Sequence, residues 1–393
     1  MEKFSRFRDA GTGIQVFLPP VAPTGSSSPL TALLSLPLLL LAVIRGLSLV
    51  LVITLWSLFE LALGTAVRGA FLNLVLALLG IFPEKQVVSP NSRNRAAQVA
   101  LGSPKAGDLI LSSHSSPLDI LLLLRIFPQA RVLLPVLSPS PRESPDPRGK
   151  ASTTSSRSAA QRRRGPSSYL PESLRGSMEG NTDETPQARR VEGWKVSDSI
   201  WQALKVIASC RPLELGSEGV TRADLVDLDS LKKVGSPLIV FPEIVTSNNR
   251  ALLKPAAAAF PSSWADTYTS TGSLRSLKDG PTFFITTIKY EAPTPLSASP
   301  ITTVPRSLPS LFLALLSSVP AYAPSIRILN PAESITGSSS SSLSDPRAGP
   351  AANALRRGIE DVVADTWSNL SRLRRTALGW TEKDAFLTMY AKR

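Results

Sequence analysis

The run Asp108-Leu-Ile-Leu-Ser-Ser-His-Ser-Ser-Pro-Leu-Asp119 decides how the fold of this chain is interpreted. Its apolar first half is typical of a short buried strand, and the Ser-Pro pair that follows is typical of a helix start. His114, the only histidine among the 393 residues, lies between the two. Open α/β sheets carry their chemistry on loops that leave a strand and enter a helix. The single imidazole is therefore the first candidate for a general base.

Asp119 has two interpretations that the spacing leaves open. A carboxylate five residues after His114 can fold back onto the ring, fix its tautomer and leave the other nitrogen as a proton acceptor. The same residues also form a capping box, with Ser116 as N-cap, Pro117 as the first helical residue and Asp119 at the third position. The second interpretation requires no catalysis.

Outward from this run, short apolar strands alternate with amphipathic helices, which predicts an α/β fold. We expect a mixed, mostly parallel sheet flanked by helices, with an N-terminal hydrophobic membrane anchor. The predicted strands are 108–113, 131–137, 212–215, 237–241, 282–290 and 325–329. The predicted helices are 116–127, 197–209 and 355–370, with a further short helix that begins at about Thr381.

The membrane anchor is predicted from two apolar stretches. Leu30–Phe59 is broken only by the charge of Arg45, and a second stretch covers 69–82. As one straight helix the first would measure about 45 Å, whereas the hydrocarbon core of a bilayer is about 30 Å thick. We therefore expect bends at Pro37 and at Arg45-Gly46, which would make 30–82 a membrane hairpin or re-entrant anchor. A single tilted transmembrane helix is the alternative.

Composition narrows the partners. The net charge of +13 is spread thinly along the chain, which does not favour a nucleic-acid groove. A basic protein with an apolar anchor fits an anionic lipid surface, although a merely basic surface fits the charge equally well. Cys210 is the only cysteine, so neither an intrachain disulfide nor a cysteine zinc cluster is expected, and no metal site is predicted. The sequence does not indicate an oligomeric state.

Changes in composition divide the chain. Segment 138–192 is rich in Ser, Pro and Arg and cannot bury enough apolar surface to offset its ordering entropy, so we expect a disordered insertion. The predicted units are a polar N-terminal segment (1–29), the hydrophobic hairpin (30–82), the first half of the α/β domain (83–137), the insertion (138–192), the second half (193–333), a Ser-rich spacer (334–350) and C-terminal helices (351–393).

Two separated blocks carry a resemblance to a known family. The run His-Ser-Ser-Pro-Leu-Asp resembles the H-x4-D motif of the glycerolipid acyltransferase superfamily of the PlsC type. Phe241-Pro242-Glu243 with Thr246-Ser247-Asn248-Asn249-Arg250 is similar to that family's F-P-E-G-T-x-S-N-G-R block. The N-terminal residues 8–19 resemble the start of the fungal oleoyl-CoA lysophosphatidic acid acyltransferases. The resemblance covers 1–22, 106–136 and 194–330 in outline.

The resemblance implies acyl transfer from acyl-CoA, as co-substrate, to the free hydroxyl of a lysophospholipid, with lysophosphatidic acid as the leading acceptor. His114 would be the general base and Asp119 would orient it. The acceptor site would be lined by Glu243, Thr246, Ser247, Asn248 and Arg250. No bound cofactor or metal is implied. The expected location is the endoplasmic reticulum membrane or a lipid-droplet surface, with the catalytic face on the cytosolic side.

One departure from the family block leaves a second function open. Ile244-Val245 stands where the family has Gly-Thr, and Asn249 stands at another family glycine. Two β-branched residues narrow the pocket and supply neither glycine's backbone freedom nor a hydroxyl. Altered acceptor choice, a reduced rate and loss of activity with the fold retained are all compatible with this change. The alternative is a catalytically impaired membrane protein that binds lysolipid or shapes membranes.

Overall fold

The computed structural model describes residues 2–22, 29–63, 67–88, 103–139, 189–217, 219–263, 282–319, 322–329 and 359–392. Most of the predicted insertion and the whole predicted spacer, 334–350, lie outside these residues. The helices are α1 (Pro29–Leu63), α2 (Arg68–Leu78), α3 (Leu118–Ile126), α4 (Ile200–Ala208), α5 (Leu308–Leu316), α6 (Ile359–Ser371) and α7 (Trp380–Ala391). The strands are β1 (Glu84–Val88), β2 (Leu109–Ser112), β3 (Arg131–Leu137), β4 (Val191–Val196), β5 (Leu213–Glu214), β6 (Leu225–Val226), β7 (Leu238–Val240), β8 (Ala251–Leu252), β9 (Phe283–Lys289), β10 (Ser325–Leu329) and β11 (Arg374–Arg375).

A mixed sheet forms the centre of the molecule, in the order β1-β10-β9-β2-β7-β3-β4-β6, with β5 also paired to β3. The pairs from β9 through β2 and β7 to β3 are parallel, as is the pair of β1 with β10. The pairs β9–β10, β3–β4 and β4–β6 are antiparallel. The predicted mixed, mostly parallel sheet flanked by helices is therefore confirmed.

Alternation along the strands divides the core into two layers. Ile110 of β2 packs with residues of α1 to α5 on one face of the sheet. Leu109 and Leu111 pack with the N-terminal segment, α6 and α7 on the other face. Because β2 is covered on both faces, its side chains are all buried and its first three residues are apolar without polar alternation.

Some elements were not expected from the sequence. β4 begins at Val191, inside the range predicted as an insertion, and pairs antiparallel with β3. Its Trp194 is buried and donates to the carbonyl of Ala258 at 2.8 Å. β1 was missed because its Glu-Lys-Gln sequence is polar, and it lies at the sheet edge, where only one side is paired. The helix α5 was also missed, although Ser307 caps it by accepting from the N–H of Ser310.

The hydrophobic anchor differs from the prediction. The helix α1 continues through Pro37 and through Arg45-Gly46, so neither interrupts it. Arg45 is buried, and the cost of burying its charge is reduced by hydrogen bonds. Its guanidinium donates to the carbonyls of Leu78 at 2.6 Å, Leu316 at 2.8 Å and Ser318 at 3.1 Å, at the ends of α2 and α5. The chain reverses instead between α1 and α2, which run antiparallel, as the contacts Arg45–Leu78 and Arg68–Glu60 require.

Within α1, Leu36–Glu60 is long and apolar enough to cross a membrane. One stripe, spaced alternately by three and four residues, is buried against the domain: Ala42, Arg45, Leu49, Val52 and Trp56. The other faces expose large apolar side chains, among them Leu36 (76%), Leu47 (69%) and Val50 (64%). An exposed apolar surface of this kind marks an interaction site, and it is consistent with membrane association.

Candidate active site

Three neighbouring parallel strands end at the candidate site. The loop after β2 carries His114 and leads to Asp119 in the first turn of α3. The loop after β7 carries residues 241–249, and Tyr290 follows β9 directly. Since β7, β2 and β9 are adjacent and parallel, their carboxyl ends lie at one edge of the sheet, where open α/β sheets place their ligands.

His114 and Asp119, the predicted catalytic pair, are brought together. Nδ1 of His114 lies 3.3 Å from Oδ2 of Asp119, and both side chains are buried. The ring of His114 stacks on that of Phe241, with centroids 4.2 Å apart. The ring tautomer that carries its proton on Nδ1 can donate to the Asp119 carboxylate and leaves Nε2 as the acceptor. Nε2, the remaining acceptor, has no hydrogen-bond partner among the described residues.

Asp119 is held by more than the histidine. Its Oδ2 also accepts from the backbone N–H groups of Ser115 at 2.7 Å and Ser116 at 2.9 Å, while the hydroxyl of Ser116 accepts from the N–H of Leu118. Both interpretations of Asp119 are therefore compatible with one geometry, because the carboxylate caps α3 and bonds the imidazole at the same time. The two functions use the same oxygen.

Tyr290 is a member of the cluster that the sequence did not indicate. Its hydroxyl donates to Oδ1 of Asp119 at 2.5 Å, the oxygen that the histidine does not use. Burial, together with the charge of Asp119, raises the pKa of Tyr290 well above its ordinary value, so the phenol stays a donor. Only the parallel pairing of β9 with β2 brings this distant residue to the site.

Glu243 is placed differently from the predicted acceptor role. Its Oε2 accepts from the N–H of His114 at 2.7 Å and its Oε1 from the N–H of Leu253 at 2.6 Å. Burial raises the pKa of Glu243 to about 8, against the opposing effect of these two donors, and the nearby charge of Asp119 adds to the rise. Both carboxyl oxygens accept hydrogen bonds from backbone N–H groups, so Glu243 stabilises the loop that carries His114.

Three further predicted acceptor residues lie buried in the same loop and bind the protein itself. The N–H of Ser247 donates to the carbonyl of His114 at 2.9 Å. The side-chain amide of Asn248 donates to the carbonyl of Gln15 at 2.7 Å, which attaches the N-terminal segment to the site. The hydroxyl of Thr246 donates to the sulfur of Cys210 at 3.6 Å. These contacts fix the loop against its neighbours.

Asn249 joins the ends of two strands. Its side-chain amide donates to the hydroxyl of Ser115 and to the carbonyl of Ile288, both at 2.9 Å, and its φ is +60°. Asparagine is one of the few residues that adopts this left-handed conformation readily. Asn249 thus holds a left-handed backbone conformation and adds side-chain hydrogen bonds.

A small cavity of about 20 Å³ lies beside His114 and is also lined by Phe241, Ile244, Val245 and Arg211. This volume holds about one water molecule. Ile244 has a φ of +64°, a conformation that suits glycine and strains a β-branched residue. The backbone at Ile244 therefore has a conformation typical of glycine, while the isoleucine side chain lines the cavity beside the imidazole.

Arg250, which was predicted to line the acceptor site, does not line this cavity. Its side chain is exposed, and within the described part of the chain its guanidinium has no hydrogen-bond or ion-pair partner. Arg211, at the end of α4, is instead the arginine that lines the cavity together with His114.

Lys383 of α7 lies behind the site loop and was not expected there. The fully buried ammonium donates to the carbonyls of Thr246, at 3.1 Å, and Thr303, and lies 5.1 Å from the ring centroid of Phe17. Burial lowers the pKa of Lys383 to about 8 and raises that of the neighbouring Cys210. The lysine thereby ties α7 and the N-terminal segment to the loop that carries Thr246.

Within the residues that the structure describes, no group of three His, Cys, Asp or Glu side chains could hold a metal ion. The side chains that the structure brings into contact at the site are the imidazole of His114, the carboxylate of Asp119 and the phenol of Tyr290. Comparisons with protein-family models, with curated proteins and with solved structures give no match for this chain.

Proposed function

We propose that the chain is a membrane-associated acyltransferase that moves a fatty acyl group from acyl-CoA to the hydroxyl of a lysophospholipid, with lysophosphatidic acid as the leading acceptor. The observation that carries the proposal is the pair His114–Asp119, held at 3.3 Å at the carboxyl ends of parallel strands. The resemblance of both sequence blocks to the glycerolipid acyltransferases supports the choice of substrates and of that family's fold.

In the proposed reaction, Nε2 of His114 takes the proton of the lysolipid hydroxyl as its oxygen attacks the thioester carbonyl. The collapse of the tetrahedral oxyanion expels the CoA thiolate, which receives the proton back from the imidazolium. Asp119 stabilises the imidazolium through Nδ1, and Tyr290 fixes the carboxylate from its other oxygen. Arg211 at the cavity is the candidate for the acceptor phosphate, since a guanidinium binds two phosphate oxygens at once.

Membrane association follows from the substrates and from α1. The acceptor lies in a bilayer, and α1 exposes the apolar surface that a bilayer would cover. We propose the endoplasmic reticulum membrane or a lipid-droplet surface as the location, with the site on the cytosolic side because acyl-CoA is cytosolic.

One observation favours the second candidate function, a catalytically impaired protein that binds lysolipid or shapes membranes. The cavity beside His114 holds about one water molecule, and Ile244 and Val245 line it. Acyl transfer therefore requires that this loop yields when the substrates bind. If the loop stays closed, the pair His114–Asp119 is retained but no acyl transfer takes place.

The two candidates are separated by an assay of the purified full chain in micelles with oleoyl-CoA and lysophosphatidic acid. We expect phosphatidic acid as the product, loss of at least about 10³-fold in kcat for His114→Ala, and a smaller loss of about tenfold for Tyr290→Phe. Arg222→Gln, which alters an exposed arginine outside both the cavity and the predicted acceptor site, is the matched control and should retain activity.

Circular dichroism must show that the variants keep the fold. Product formation by the wild type excludes the impaired protein. An active His114→Ala variant would refute the mechanism, and the absence of product with several lysophospholipid acceptors would refute the enzyme.

A further inference from the structure

A second and much larger cavity, of about 670 Å³, lies between α4 and the start of α5. It is distinct from the cavity at His114, which is lined by other residues of α4. We call it the α4–α5 groove. It is lined by Trp201, Lys205, Ala208, Ser209, Pro305, Arg306, Ser307, Leu308 and Pro309.

The lining of the α4–α5 groove is amphiphilic. Trp201, Leu308 and the two prolines form an apolar floor, while Lys205 and Arg306 supply two positive charges and no acidic residue lines the groove. Lys205 is exposed, and within the described part of the chain its ammonium has no hydrogen-bond or ion-pair partner. Arg306, which precedes the N-cap of α5, donates from Nε and Nη2 to Ser310 of that helix, and these bonds hold its guanidinium in place. Such a groove is complementary to an anion attached to an apolar body.

The α4–α5 groove lies beside α1, on the side of the molecule where α4 and α5 pack against the buried stripe of that helix. Trp201, 39% exposed, has its ring 6.5 Å from that of Trp56 in α1. Leu313, one turn beyond the groove in α5, is 62% exposed, and α5 packs against α1. Tryptophan and basic residues beside an apolar helix are typical of the level at which lipid headgroups lie. A lipid already in the bilayer would therefore reach the groove without leaving the membrane.

We propose that the α4–α5 groove binds an anionic phospholipid of the bilayer, with the phosphate between Lys205 and Arg306 and the start of an acyl chain against Trp201 and Leu308. This site is separate from the His114 cavity and does not depend on catalysis. It would fix the height of the domain on the membrane and give the protein a preference for anionic bilayers.

The test uses the full chain in phosphatidylcholine nanodiscs that contain a rising fraction of phosphatidylglycerol with brominated acyl chains, which quench nearby tryptophan. Phosphatidylglycerol is neither substrate nor product of the proposed reaction. The Trp201 signal is the difference between the wild type and Trp201→Phe. We expect half-quenching at about a tenfold lower fraction of brominated phosphatidylglycerol than of brominated phosphatidylcholine.

The double variant Lys205→Gln/Arg306→Gln should abolish this preference. The matched double variant Arg190→Gln/Arg222→Gln removes the same charge from exposed positions outside the groove and should keep it. His114→Ala should also keep it, even if the assay of acyl transfer fails. The proposal would be overturned if brominated phosphatidylglycerol and brominated phosphatidylcholine quenched Trp201 equally. It would also be overturned if the control double variant lost the preference as fully as Lys205→Gln/Arg306→Gln, or if millimolar inorganic phosphate abolished the preference.

Discussion

Ile244 holds a backbone conformation that suits glycine while it carries one of the bulkiest β-branched side chains. Its φ of +64° costs about 1–3 kcal/mol for such a residue. The strain persists because Ile244 is buried and its neighbours Glu243 and Val245 are bonded or packed on both sides. A strained residue that also lines the cavity beside His114 is the obvious position at which access to the imidazole is controlled.

We expect Ile244→Gly to raise kcat/KM for acyl transfer about tenfold or more, because it removes the side chain from the cavity. The free energy of unfolding of Ile244→Gly should differ little from that of the wild type. Relief of about 1–3 kcal/mol of backbone strain offsets the loss of about 1.5–3 kcal/mol from side-chain burial. Acyl-transfer kinetics and chemical denaturation in micelles measure the two effects. Ile244→Ala is the comparison: it also opens the cavity but keeps the positive φ, so it should be active and less stable. Unchanged kinetics in both variants would show that Ile244 does not limit access.

At this scale the sequence predicts what is local. His114 and Asp119 are five residues apart on a strand, loop and helix whose geometry is nearly fixed, so their contact could be anticipated. Tyr290 and Lys383 could not be, because β9 and α7 reach the site only through the topology of the sheet and the second core layer. The role of Glu243 was missed for a related reason: its two donors belong to backbone groups 129 and 10 residues away.

Among the elements, α1 shows how one buried charge can join helices. Arg45 donates to carbonyls at the carboxyl ends of α2 and α5, where the helix dipoles are negative and the last carbonyls have no partner within their helices. A sequence pattern with a lone arginine in an apolar run suggested a bend. The bend is unnecessary because carbonyls at two neighbouring helix ends accept from Nε and Nη1 of the guanidinium, while Nη2 has no hydrogen-bond partner among the described residues.

Arg45→Met should therefore lower the free energy of unfolding by roughly 2–4 kcal/mol, since it leaves buried carbonyls without donors. Denaturation in micelles measures the loss. Thr54→Val is the matched control on an exposed face of α1, where the hydroxyl bonds only within its own helix, and it should be nearly neutral. Equal stability of Arg45→Met and the wild type would mean that the hydrogen bonds from Arg45 to the ends of α2 and α5 contribute nothing to folding.

Elements with a strong periodic or apolar signal were predicted well, and β10 begins and ends where expected, at Ser325 and Leu329. Short strands such as β6 and β8 have two residues each and carry no periodicity to detect. Their pairing depends on strands distant in sequence, as β8 pairs with β11 after more than a hundred residues. Local propensity cannot contain that information.

For the whole molecule, the packing of α1 bears on how it enters a bilayer. From Ala42 to Trp56, about 21 Å of helix, one face is packed on α2 and α5. The lengths left on either side are shorter than a hydrocarbon core of about 30 Å. We expect α1 to enter one leaflet without crossing, so both termini should face the cytosol. Protease protection of N- and C-terminal tags in microsomes measures this, and tags on opposite faces would show a full span.

The pH dependence of stability combines two buried groups on either side of the site loop. Glu243 has a pKa raised by burial from 4.5 to about 8, so between these values the unfolded chain loses a proton that the folded chain keeps, and stability falls as pH rises. Lys383 has a pKa lowered by burial from 10.5 to about 8, so above pH 8 the folded chain loses a proton that the unfolded chain keeps, and stability rises. The buried Cys210 thiol, with its raised pKa, opposes that rise above pH 9.

We therefore expect the free energy of unfolding in micelles to decrease from pH 5 to a minimum near pH 8 and then to level or rise towards pH 9. Glu243→Gln should flatten the decline below pH 8, because it removes the group that titrates. The glutamine can still accept a hydrogen bond from a backbone N–H of the loop, so the local structure is largely kept. Lys383→Met should leave that decline and remove the rise above pH 8. If the wild-type curve instead climbed from pH 5 to 8, Glu243 would be ionised in the fold, and its carboxylate would have to be stabilised by the N–H groups of His114 and Leu253 more strongly than burial destabilises it.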